Sequence, residues 1–82
     1  MKKTGLDLTV NDIQSLMQRL SIKFIYKNYK NVIAERHVVP KNIFYGGSDY
    51  HSGQGDKLFL SAYDLEKETT RHFLIEDIIE IL

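Results

Sequence analysis

The amino-acid sequence predicts a single α+β domain, with one N-terminal helix packed on a small, strongly bent antiparallel sheet of about five strands. Three observations carry that prediction. Ile13, Leu16, Met17 and Leu20 recur at helical spacing and form one apolar stripe. From Ile22 to Tyr29 the chain changes to strand-like alternation, with Ile22, Phe24 and Tyr26 on one face and Lys23, Ile25 and Lys27 on the other. The stretch Lys57 to Phe73 reads as a β-hairpin. Leu58, Phe59, Leu60, Ala62 and Tyr63 are an apolar run, Asp64 to Thr69 a polar connection, and Arg71, His72 and Phe73 the start of the return strand. A strand apolar on both faces belongs at the centre of a small barrel or sandwich.

The chain has 82 residues, which sets the expectation of one domain. So short a chain buries only about 60–65% of its unfolded surface, so the core is thin and self-association would help it. The 43% hydrophobic and 27% charged fractions place it among globular rather than disordered chains. With no Cys, neither a disulfide framework nor a thiolate metal site can form, which fits a reducing compartment. The N-terminus carries two lysines, but Asp7 precedes any apolar run, unlike a signal peptide, and no apolar stretch approaches a membrane span. A cytoplasmic protein away from the membrane is the expectation. Net charge is zero but unevenly spread. Met1 to Tyr45 holds eight Lys/Arg against three acids, a net +5; Gly46 to Leu82 holds three against eight, a net −5. The halves read either as complementary surfaces, within the fold or between subunits, or as a basic face for phosphates.

Taken in order, residues 1–8 read as a loose lead-in. A helix is expected over 11–19, with Thr9 or Asn11 as N-cap. Strand 1 follows from Ile22, and Lys30-Asn31 fits a tight turn because Asn tolerates positive φ. Val32 to Val39 reads as strand 2, which Pro40 ends or holds at an edge, and Ile43 to Tyr45 as a short strand 3. Gly46 to Asp56, with four glycines, is the longest irregular segment, and loops of that length are often functional. After the hairpin, Leu74 to Leu82 fits a helical turn with a last strand, or a short helix.

The order of these pieces resembles a WYL domain over about residues 10–82. The resemblance rests on Phe24-x-Tyr26, Glu35-Arg36-His37 before Pro40, Ile43-Phe44-Tyr45, Leu58-Phe59-Leu60 in place of Trp-Tyr-Leu, Ala62-Tyr63-Asp64, Arg71-His72-Phe73 and Ile78. Tyr45 to His51 is similar to a loop of short, free-standing WYL-like proteins. The resemblance implies an Sm-like or SH3-like barrel with an N-terminal helix, and a ligand-sensing role with nucleotides or nucleic acid as ligands. WYL domains usually sit behind a DNA-binding helix-turn-helix in bacterial regulators; here the module is read as free-standing, of bacterial or phage type. Phe59 stands where the family has Tyr, and Asp77 where it has Arg.

The resemblance directs Arg36 and Arg71 at a ligand pocket. Arg71 reads either as a bidentate phosphate contact or as a partner of an acid such as Asp64. Arg36 reads as a second cation of the pocket or as a sheet ion pair. Phe59 occupies the position of the family's pocket Tyr. Tyr63 is a core aromatic or a stacking platform, and Tyr50 a second candidate platform. His37 and His72 lie on strands without ligand spacing. His51, beside Asp49 and Tyr50 in the Gly-rich loop, is a further ligand-binding candidate or, as a much weaker alternative, the acid/base of a nucleotide-directed enzyme. One His and one Asp are too few for a metal site. No nucleophile-elbow pattern surrounds any Ser. The sequence therefore predicts a binding module rather than an enzyme, without cofactor or metal. Its ligand would be a phosphate-bearing nucleotide or single strand, its assembly a homodimer, and the alternative role an interaction scaffold.

Overall fold

The computed structural model describes residues 4–46 and 57–82. A single turn of 3-10 helix, Gly5–Asp7, leads into helix α1, Val10–Met17. Five strands follow: β1 Ile22–Lys27, β2 Ile33–Gly46, β3 Lys57–Asp64, β4 Thr69–Leu74 and β5 Ile78–Ile81. A second 3-10 turn, Ile75–Asp77, joins the last two. The sheet is antiparallel throughout, in the order β4-β3-β2-β1-β5. Among the described residues, no helix is long and apolar enough to cross a membrane.

Helix α1 starts where a capping box allows it. The Asp12 N–H donates to Thr9 Oγ1 at 3.1 Å, and the Thr9 N–H donates to Asp12 Oδ2 at 3.0 Å. Thr9 rather than Asn11 is therefore the cap. Leu16 is buried, and Ile13 and Met17 lie with it against Ile22, Ile43 and Leu60 of the sheet. Leu20 departs from the expected stripe. The helix has ended at Met17, and Leu20 is 93% exposed. The lead-in is not loose throughout: Gly5 is buried, and Leu8 packs on the core.

Strand β1 puts Ile22, Phe24 and Tyr26 into the core as expected. It stops at Lys27, and a side chain makes the turn. Asn28 Oδ1 accepts the N–H groups of Lys30 and Val32, and Asn31 sits at φ 63°. The expected strands 2 and 3 are one strand, the 14-residue β2. Its first part pairs with β1 over Ile33–Val38, and its second pairs with β3 over Val38–Gly46. The register shifts between Pro40 and Asn42. Pro40 is tolerated inside the strand because β1 has already left the ladder, so one side of the backbone there has no partner strand to donate to.

The expected barrel is not closed. Strands β4 and β5 are the two edges of the sheet, and no ladder joins them. They are nonetheless connected by only three residues, so the sheet must curl until its edges nearly meet. The curl is visible in the core. Phe73 of β4 lies edge-on to Phe24 and Tyr26 of β1, with centroids 5.2 and 5.1 Å apart, although two strands separate β4 from β1 in the sheet. One hydrogen bond spans the gap, from the Leu74 N–H to the Tyr26 hydroxyl at 2.8 Å. The inner face so formed holds Leu16, Ile22, Phe24, Val38, Leu60, Ala62, Phe73, Ile78 and Ile81.

Candidate functional site

Register decides which side chains can meet, because residues directly opposite in a ladder share a face. Phe24 opposes Arg36, so Arg36 lies on the inner face. Val38 opposes Asp64, and Ala62 opposes Arg71, which puts Asp64 and Arg71 on that face too. Across the strands, Asp64 thus stands between the two arginines. Tyr26 brings its hydroxyl to the same place. Its pKa is raised above the ordinary value, chiefly by burial. The Leu74 N–H opposes that rise, Asp77 adds to it, and the positive charges of Arg36 and Arg71 oppose it. The charges of Asp77, Arg36 and Arg71 are the smaller influences, after burial and the Leu74 N–H.

The arginines differ in setting. Arg71 is exposed on β4, while Arg36 is half-buried and its Nε is buried without a hydrogen-bond partner. Asp64 is 1% exposed. Its Oδ1 accepts the N–H groups of Glu66 and Lys67 at 3.0 and 3.1 Å and so builds the β3–β4 turn; its Oδ2 is buried without a partner. The pairing of Arg71 with Asp64 that the sequence allowed is not formed. Both arginines sit on strands, whose backbone sets the face of the sheet from which each side chain leaves.

The other candidates fall elsewhere. Phe59 opposes Leu74 and Tyr63 opposes Thr70, on the face turned away from the arginines. There Phe59 stacks on Phe44 at 5.3 Å, and His72 meets Phe44 edge-on at 4.9 Å. Phe59 is accordingly a packing residue of an outer aromatic cluster, and alternation along β3 forbids it to share a pocket with Ala62 or Asp64. Tyr63 is half-buried on that outer face. His37 is satisfied by Ser21, its Nε2 lying 3.1 Å from Oγ. Tyr50 and His51 lie outside the described residues. Sequence reasoning missed Tyr26 and Asp64 as members of the site. The available signal was a Tyr at the end of a buried strand face, where its hydroxyl must find a polar partner.

Comparison with known proteins adds no relative: no family model, curated protein or solved structure matches the chain. The likeness to WYL domains rests on the ordered residues quoted above.

Proposed function

We propose that the chain is a small regulatory module that binds a phosphate-bearing ligand, a nucleotide or a single-stranded nucleic acid, at the inner-face cluster of Arg36, Arg71 and Tyr26. The observations that carry this reading are the strand register, which puts Arg36 and Arg71 on one face of the sheet with Tyr26, and the Arg36 Nε, buried without a hydrogen-bond partner. Guanidinium groups held on rigid strands suit a planar, bidentate oxyanion contact. The likeness to WYL sensors points the same way. Among the described residues of the cluster none pairs a nucleophile with a base, and the reading is of binding without catalysis.

Asp64 and Asp77 offset the charge of the two arginines, so binding is weak and falls with salt. Titration of the chain with mononucleotides and short single strands at low ionic strength tests this. Arg71→Ala should weaken binding about tenfold or more, the loss of a charged hydrogen bond of roughly 1.5–3 kcal/mol, with the circular-dichroism spectrum unchanged. Equal binding by wild type and Arg71→Ala, or no binding of any phosphate-bearing compound, would leave the interaction scaffold as the better reading.

A further inference from the structure

Strand β2 outruns β3. The two pair only from Val38 onward, and the Leu65 N–H donates to the His37 carbonyl where β3 turns away. The β1–β2 hairpin therefore runs on past its last bond to the β3 side by residues 33–36, roughly 14 Å of strand. Beyond that bond, over residues 33–36, β2 pairs with β1 on one side, and no backbone hydrogen bond from a described residue meets it on the other. Such an edge is a template for another strand. The second part of β2 carries Pro40 and Lys41, residue types that discourage edge pairing. The projecting part carries Val32, Ile33 and Ala34, and Val32 and Ile33 are 53% and 59% exposed. Its end is rigid, locked by Asn28.

We propose that this edge pairs with the same edge of a second copy, joining two sheets across a two-fold axis. Charge and topology select a second copy as the occupant. The β1–β2 and β3–β4 turns leave the same end of the sheet, because β2 and β3 are joined at the other end. One turn is basic, with Lys27, Lys30 and the exposed Tyr29; the other carries Glu66, Lys67 and Glu68, a net −1, beside the exposed Leu65. Lys27, Lys30, Glu66 and Glu68 make no ion pair with another described residue of their own copy. A two-fold through the projecting edge lays each basic turn on the partner's acidic turn, twice over.

Like charges narrow the register. An axis at Glu35 would oppose two glutamates, one at Arg36 would oppose two arginines, and one at Ile33 would oppose Lys30 with Arg36. An axis at Ala34 opposes Ile33 with Glu35 and Val32 with Arg36, and places the small side chain at the centre.

The chain lacks cysteine, so a single introduced one reports on the axis. Ala34→Cys should oxidise to a covalent dimer far faster than Asn42→Cys, which lies on the other part of β2. Sedimentation over roughly 10–200 µM should show a salt-sensitive monomer–dimer equilibrium for wild type, as expected of a small interface. Ile33→Glu, at an exposed position that the fold tolerates, should weaken it about tenfold or more by facing the partner's Glu35. A monomer throughout, a dimer indifferent to Ile33→Glu, or equal cross-linking at the two cysteines overturns the proposal. So does a monomer that co-floats with phosphatidylserine vesicles through the same face.

Discussion

Asp77 shows how much a single residue decides here. It is the last residue of the turn that joins the two sheet edges, at the position where the WYL likeness expects Arg, and its charge adds to the rise of the Tyr26 pKa while those of Arg36 and Arg71 oppose it. An acid so placed repels phosphate. Asp77→Asn should therefore tighten nucleotide binding about two- to fivefold, or roughly 0.5–1 kcal/mol, and make it less dependent on salt, as read by calorimetric titration. The sequence offers Arg36 and Arg71 as candidates through their spacing to Pro40 and Phe73, and the register puts both on the inner face. Phe59 and Tyr63 lie apart from the arginines. Motif position alone gave them a place beside the arginines, whereas alternation along β3 puts them on the opposite face from Ala62 and Asp64. Period-two counting from Ala62 separates the two sets once the strand is known to be regular.

At the scale of elements, periodicity served best where one face is buried. The Ile22, Phe24, Tyr26 alternation and the hairpin from Lys57 appear as read. Strand β2 was divided in reading because Pro40 normally ends a strand, and only the departure of β1 at Val38 shows why it does not. Leu20 was assigned to the helix by spacing, though the chain turns away at Gln18. The lead-in was missed because its anchoring is tertiary. A Cβ on Gly5 would run into the Ile75 carbonyl oxygen and crowd Ile78, so the 3-10 turn at Gly5–Asp7 fits only with glycine there. Gly5→Ala should lower stability by about 1–3 kcal/mol in urea unfolding, the cost of forcing atoms into a packed contact.

At the scale of the whole molecule, the sheet curls without closing, and Tyr26 supplies by a side chain what a barrel would supply by a ladder. Sequence alone could not show this, since an open and a closed sheet share the same alternation. Burial raises the Tyr26 pKa above its ordinary value of about 10. The folded state thus holds that proton more tightly than the unfolded state. The resulting stability is present in full below about pH 10 and is lost as pH rises through the folded value. Tyr26→Phe should remove this alkaline loss. At neutral pH it should cost roughly 1–3 kcal/mol, because the Leu74 N–H loses its acceptor, and thermal melts from pH 7 to pH 11 separate the two effects. The central claim is that the binding site is the inner face at Arg36, Arg71 and Tyr26, not the outer aromatic cluster. Its most direct test is an NMR titration of the isotope-labelled chain with a mononucleotide at low salt. The account predicts saturable shifts of the Arg36 and Arg71 side-chain N–H signals and of the Leu74 amide that donates to Tyr26, with Phe44, Phe59 and Tyr63 unmoved. Shifts confined to Phe44, Phe59, Tyr63 and His72 would contradict it.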